Sequence, residues 1–176
     1  MSTTVELTPA ELTVLGLVIE RPQQGYDLER AIEQRGIRQW TDIGFSSIYY
    51  LLTKLEQRGL LSVAAKSSRV FHATTEGRRV AARNVLAFIA EARPVPLPVL
   101  VGVPNLSMLT AQQYEQALRT RLVQLEARIA AVQAAQQARV PLPLAAREVF
   151  SYSLSLMEAE RQWLTTRVQV PRDQEI

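Results

Sequence analysis

The chain of 176 residues contains no cysteine and a single histidine, His72. Disulfides, thiolate metal sites and cysteine nucleophiles are thereby excluded, and one imidazole cannot build a histidine metal cluster. A serine–histidine–aspartate relay would have to pass through His72, which reads as a strand residue. Long apolar runs are also lacking: none reaches the ~18 residues that a spanning helix needs. Met1–Ala10 carries the acidic Glu6 in place of a basic stretch followed by an apolar core, so neither secretion nor membrane insertion is expected. The absence of cysteine fits a reducing compartment, and the cytoplasm is the expected location. Without a nucleophile, metal set or phosphate loop, an enzyme is not expected, nor a cofactor or metal.

What is present is the composition of an ordinary globular protein, 47% hydrophobic and 21% charged. The net charge of +3 is too small to indicate a partner, but its distribution is uneven. Between Lys54 and Arg83, seven positive residues face only Glu56 and Glu76, a local net charge of +5, while the rest of the chain nets −2. A basic segment of this kind suits a phosphate-binding surface, because neutralising backbone phosphates supplies most non-specific affinity for DNA. A solvated helix face is the simpler alternative.

Periodicity places helices in series. Thr8 caps a first helix with Pro9 at its first position and Glu11 in its first turn, and Leu12, Leu15, Gly16 and Ile19 are expected to line its buried face. Arg21 and Pro22 stop it. A second helix runs from Gly25 to about Arg35, closed by Gly36, with Leu28, Ala31 and Ile32 facing inward. Trp40 and Ile43 then plug the gap between helices, and Ser46 or Ser47 caps a third helix. In that helix Ile48, Leu51, Leu52 and Leu55 form one apolar stripe at i, i+3, i+4 and i+7. Gly59 suits a helix stop. The run from Leu61 to Thr74 then reads as a two-stranded hairpin with the tip Lys66, Ser67, Ser68, Arg69. A fourth helix begins at Thr75 and Gly77 and extends to about Ala92, with Val80, Val85, Leu86 and Ile89 as its apolar positions.

Four prolines and a glycine between Arg93 and Pro104 forbid a continuous helix, and an extended apolar strap is expected there. Thr110 and Gln113 form a capping box for a long fifth helix carrying Tyr114, Leu118, Leu122, Leu125, Ile129 and Val132 near heptad spacing. The segment Val140–Pro143 breaks it, and a last helix from about Leu144 to Val168 places Val149, Leu156 and Trp163 at sevenfold spacing. Stripes this wide are not expected to be buried by the two helices alone, which points to a second copy of the chain, the alternative being an intramolecular helical subdomain with no partner. The expected fold is therefore mainly α: an N-terminal winged helix-turn-helix with a two-stranded wing, then an antiparallel pair of long helices. The boundaries are 1–92 for the winged helix, 93–106 for the proline-rich connector, 107–170 for a helical dimerisation and effector region, and 171–176 for the tail.

Three segments together carry a resemblance: LTVLGLVIERPQQGYDLERAI at Leu12–Ile32, SSIYYLLTKLEQRGLL at Ser46–Leu61 and ATTEGRR at Ala73–Arg79. They resemble the PadR family of bacterial transcriptional regulators, in its larger branch with C-terminal helices that build the dimer. Two departures stand out: family members often have histidine where Gln24 stands, and a tyrosine in the wing near Phe71 or His72. The resemblance implies a repressor released from its operator by a small aromatic or amphipathic effector.

The residues expected at double-stranded DNA are Ser46, Ser47, Tyr49, Tyr50, Lys54, Lys66, Ser68 and Arg69. Helix geometry directs Tyr50 away from the apolar stripe and into the groove, while Tyr49 on the flank either reaches a phosphate or packs on the second helix. Ser46 and Ser47 stand at a helix N-terminus, where capping and phosphate binding are alternatives. Lys66 and Arg69 would clamp phosphates or enter the minor groove. Arg78, Arg79 and Arg83 are exposed on the fourth helix without a clear direction toward DNA. Homodimer contacts are expected from Leu118, Leu122, Leu125, Ile129, Val149, Leu156 and Trp163; Trp163 either packs there or stacks on an aromatic effector. The rival reading is a non-catalytic protein-interaction module built on a winged-helix scaffold with a coiled-coil tail.

Overall fold

The computed structural model describes residues 6–39, 41, 43–44, 47–63, 69–92, 95, 97–138 and 141–169. The chain divides into two compact units, Met1–Pro94 and Val95–Ile176.

The first unit opens with α1 (Pro9–Glu20). Its N-terminus is closed by a reciprocal box: the Thr8 hydroxyl accepts the Glu11 N–H at 3.2 Å, and Glu11 Oε2 accepts the Thr8 N–H at 2.8 Å. The buried stripe is Glu11, Val14, Leu15 and Val18, with Leu17 beside it, whereas Leu12 and Ile19, expected inside, are only half-buried. A segment as uniformly apolar as LTVLGLVI does not select a face by periodicity, so its packing partners do. Helix α2 (Gly25–Gln34) buries Leu28 and Ile32, and a 3₁₀ turn at Ile37–Gln39 leads to the buried Ile43. Trp40 lies outside the described residues.

Helix α3 (Ser47–Gln57) buries the expected stripe of Ile48, Leu51, Leu52 and Leu55. It ends in a Schellman motif: the Leu60 N–H reaches the Leu55 carbonyl at 2.9 Å and the Gly59 N–H the Glu56 carbonyl at 2.8 Å, with Gly59 at a φ of +69°. The chain passes at once into β1 (Leu61–Val63), which pairs antiparallel with β2 (Phe71–Ala73) in the register Leu61 to Ala73, Ser62 to His72 and Val63 to Phe71. The opposite edge of β2 is occupied as well. Gln23 and Phe71 exchange backbone hydrogen bonds at 3.3 and 3.0 Å, tying the α1–α2 turn to the wing, a pairing that the sequence pattern does not announce.

Helix α4 (Thr75–Ala90) is capped by Thr74, whose hydroxyl accepts the Gly77 N–H at 2.9 Å and donates to the Gly59 carbonyl at 2.8 Å. Its buried stripe is Gly77, Val80, Ala81 and Asn84. Of the four apolar positions expected, only Val80 is inside; Val85, Leu86 and Ile89 are exposed. The stripe at i, i+3, i+4, i+7 runs through small and polar residues, and bulk alone pointed to the wrong side. Asn84 belongs inside because both ends of its amide are used: Oδ1 accepts the Leu7 N–H at 2.9 Å and Nδ2 donates to the Val80 carbonyl at 2.9 Å.

In the second unit, the strap expected to be extended forms helical turns, α5 (Val99–Gly102) followed by a 3₁₀ segment, Val103–Met108. Pro98 and Pro104 stand just before or within the first turn of these pieces, where a missing N–H costs nothing. Helix α6 (Ala111–Gln137) starts from the expected Thr110–Gln113 box, and α7 (Leu144–Gln169) returns antiparallel to it. Tyr114, Leu118, Leu125, Ile129 and Val132 are buried with Met157 and Leu164, and Leu122, Phe150, Leu154 and Trp163 pack half-buried around them. An ion pair between Arg121 and Glu160 at 2.5 Å flanks this seam. The expectation that these helices cannot bury each other's stripes is thus corrected: α7 covers most of the α6 stripe within one chain. The sevenfold set on α7 splits as well, with Val149 and Leu156 exposed and Trp163 half-buried. A straight α-helix drifts ~20° per heptad, so residues seven apart do not keep one face over three turns and more.

Candidate nucleic-acid interface

Burial of its apolar stripe leaves α3 with an outward face of Tyr49, Tyr50, Thr53 and Gln57, all exposed. Tyr50 is 65% exposed and Tyr49 is 52% exposed, an unusual state for two adjacent tyrosines in a small folded unit. Their settings differ. Tyr49 lies across the N-terminus of α2, so close to Gly25 that a Cβ on residue 25 would fall 2.6 Å from its ring. Packing against the second helix, one of the two expected alternatives, is therefore present, and more than half of the tyrosine surface remains open. Ser47 begins α3 half-buried, its N–H donated to the Gly44 carbonyl at 3.1 Å. Ser46, Lys66 and Ser68 lie outside the described residues.

Cations of the basic segment divide into anchored and outward-facing groups. Lys54 Nζ stands 2.8 Å from Glu11 Oε1, and Arg58 Nη1 stands 3.0 Å from the same oxygen, while Arg58 Nη2 donates to the Glu6 carbonyl at 3.0 Å. Burial by itself would raise the pKa of the Glu11 carboxyl. The Lys54 hydrogen bond, the Thr8 N–H and the charges of Lys54 and Arg58 more than offset this and hold it below the usual carboxylate value. The same pairing holds the Lys54 ammonium above the usual lysine value. Arg79 is engaged by Glu76 at 2.5 Å on the α4 surface, and Arg78 reaches the Ile19 carbonyl at 3.5 Å. Arg69, where the hairpin returns to β2, is exposed and has a φ of 37°, in the left-handed region that side chains other than glycine seldom occupy.

Sequence reasoning missed the burial of Glu11. The signal was available: an acid three, four and seven residues before Val14, Leu15 and Val18 lies on their stripe, and Lys54 and Arg58 offer cations one turn apart on another helix.

In the second unit, the Arg167 guanidinium stacks 3.9 Å from the centroid of the Trp163 ring and donates to the Trp163 carbonyl at 3.2 Å. Among the described residues no group of three or more acids and histidines could hold a metal ion, and no helix is long and apolar enough to cross a membrane.

This geometry agrees with known proteins at the level of fold. The chain is similar to Bacillus subtilis PadR in complex with operator DNA, with a TM-score of 0.72 and 17% identity over 92% of this chain and 98% of that one. It is similar to the same Bacillus subtilis protein in complex with p-coumaric acid, with a TM-score of 0.74 and 17% identity over 90% and 95% of the two chains. The Vibrio cholerae virulence activator AphA gives a TM-score of 0.71 and 17% identity over 90% and 95%. No curated protein matches by sequence. Residues 14–83, from the middle of α1 to the middle of α4, match the transcriptional regulator PadR-like family. The winged helix-turn-helix at residues 14–83 is thus similar to that of the PadR-like family of transcriptional regulators.

Proposed function

We propose that the protein is a repressor that binds a pseudo-palindromic operator as a homodimer and is released by a small aromatic effector. The observation that carries the DNA-binding part is the outward face of α3, where Tyr50 and Tyr49 stand exposed over a stripe that is fully buried. A helix held by one face and open on the other is what entry into a major groove requires. In this reading Tyr50 meets base edges or the groove wall, Tyr49 and Ser47 meet phosphates, and Lys66 and Arg69 clamp the flanking backbone from the wing. Lys54, engaged by Glu11, serves chiefly to hold the helix. The operator complex of the Bacillus subtilis relative supports the assignment by analogy of fold.

The dimer part draws on α7, where Val149, Tyr152 and Leu156 form an exposed apolar stripe at i, i+3 and i+7. The effector part draws on the p-coumaric acid complex of the same relative and on the half-buried Trp163 with the Arg167 guanidinium stacked on its ring, an aromatic surface paired with a cation that suits an aromatic acid.

The test is binding to a duplex from the region upstream of the protein's own gene, measured against salt. Binding is expected to weaken steeply as salt rises. A Tyr50→Ala, Lys66→Ala, Arg69→Ala triple variant is expected to lose binding while keeping its fold. Failure of the wild type to bind any duplex at low salt overturns the reading.

A further inference from the structure

Glu11 is the one acidic side chain placed wholly inside the first unit among the described residues, with a side-chain exposure of 2%. Its two oxygens have separate tasks. Oε2 closes the N-terminus of α1 through the Thr8 N–H, and Oε1 receives both Lys54 and Arg58. These cations are one turn apart, at the last turn of α3 and its C-cap, and Tyr50 precedes Lys54 by one further turn. The chain from Glu11 to Lys54 to Tyr50 therefore runs from the buried stripe of α1 to the outward face of α3.

Apolar packing of Ile48, Leu51, Leu52 and Leu55 fixes how deeply α3 sits, but such contacts are non-directional and tolerate small rotations about the helix axis. Charge-assisted hydrogen bonds are short and directional. Two of them converging on a single buried oxygen oppose rotation from the C-terminal end of the helix.

We propose that Glu11 is a positioning residue for DNA recognition: it sets the rotation of α3, and with it the aim of Tyr49 and Tyr50, so that sequence discrimination depends on it although it touches no DNA. The inference rests on the DNA-binding reading above. Its signature is a loss of specificity with no loss of general attraction. Replacing Glu11 by Gln keeps the shape and leaves a carbonyl for the Thr8 N–H, but removes the charge that holds Lys54 and Arg58. Those cations are then available to phosphates, so attraction to any duplex holds or rises.

The experiment compares affinities of the full-length protein for two probes, a duplex from upstream of its own gene and a shuffled duplex of equal length and composition. Glu11→Gln is expected to lower the ratio of the two affinities by about tenfold, the size of one good base contact, with binding to the shuffled probe unchanged or tighter. A variant that merely unfolds in part loses both affinities by the same factor and keeps the ratio, and that result overturns the proposal. Arg58→Gln removes one arm at the half-exposed end and keeps the α1 cap, so it carries the test should Glu11→Gln fail to fold. Its ratio is expected to fall in the same direction by a smaller factor, and a ratio within twofold of wild type in each folded variant overturns the positioning role alone. A wild type without preference for the upstream probe overturns the regulator reading and the inference with it.

Discussion

Gly77 faces the carbonyl of Leu60 so closely that a Cβ on residue 77 would lie 2.1 Å from the Leu60 oxygen. The obstacle is backbone, and it is held: the same oxygen accepts the Thr74 N–H at 3.1 Å and the Thr74 hydroxyl at 3.2 Å. The wing, the end of α3 and the start of α4 meet at this point, which gives the Thr-x-x-Gly sequence its physical meaning. Gly77→Ala is expected to lose about 3 kcal/mol or more, the upper part of the range for overpacking. A denaturant midpoint equal to that of wild type would contradict the contact.

Gly25 presents the opposite case. A Cβ there meets the Tyr49 ring at 2.6 Å, and a ring at the end of a side chain can swing aside where a carbonyl cannot. Gly25→Ala is therefore expected to cost no more than about 1 kcal/mol, yet to redirect Tyr49 on the outward face of α3. Near-wild-type thermal unfolding combined with operator binding weakened as much as in Tyr49→Ala is the expected pair of results. A large stability loss would show that the ring has nowhere to go.

Glu11 makes stability depend on pH with a definite sign. Its folded-state pKa lies below the ordinary glutamate value of 4.5, so the unfolded chain binds the proton more readily. The stabilisation is complete above 4.5 and is lost as pH falls through the lowered folded-state value. Unfolding free energies measured from neutral pH downward are expected to decline across that window in wild type and to decline less in Glu11→Gln. Parallel profiles would sink the assignment.

Within the second unit, position on α7 separates two kinds of leucine. Leu164 is fully buried against α6, and Leu164→Ala is expected to cost ~2–5 kcal/mol. Leu156 is 57% exposed on the stripe with Val149 and Tyr152, so Leu156→Arg should leave the folding of one chain nearly unchanged. The same variant is expected to halve the molar mass measured by light scattering. An unaltered mass would contradict the dimer contact proposed for this stripe.

Much of this could be read from the residues. Turn and cap chemistry is local, so Thr8, Gly59 and Thr110 announced their roles through spacing alone, and the stripe of α3 was unambiguous because its other positions are polar. The faces of α1 and α4 were not legible for opposite reasons. α1 is apolar almost all round, and the buried side of α4 is built from Gly77, Ala81 and Asn84, which carry little hydrophobic signal.

The candidate site divides in the same way. Exposure of Tyr50 followed from helix geometry and the position of its apolar neighbours, which the sequence determines within one element. The fate of Lys54 did not, since its partner Glu11 lies 43 positions away in the chain. Sequence by itself determined the long helices, most of their caps and the outward face of the third helix, because each depends on residues within a few positions of one another. Only the tertiary structure decided which charges are anchored and which face outward, because an ion pair requires two distant segments to be brought within 3 Å.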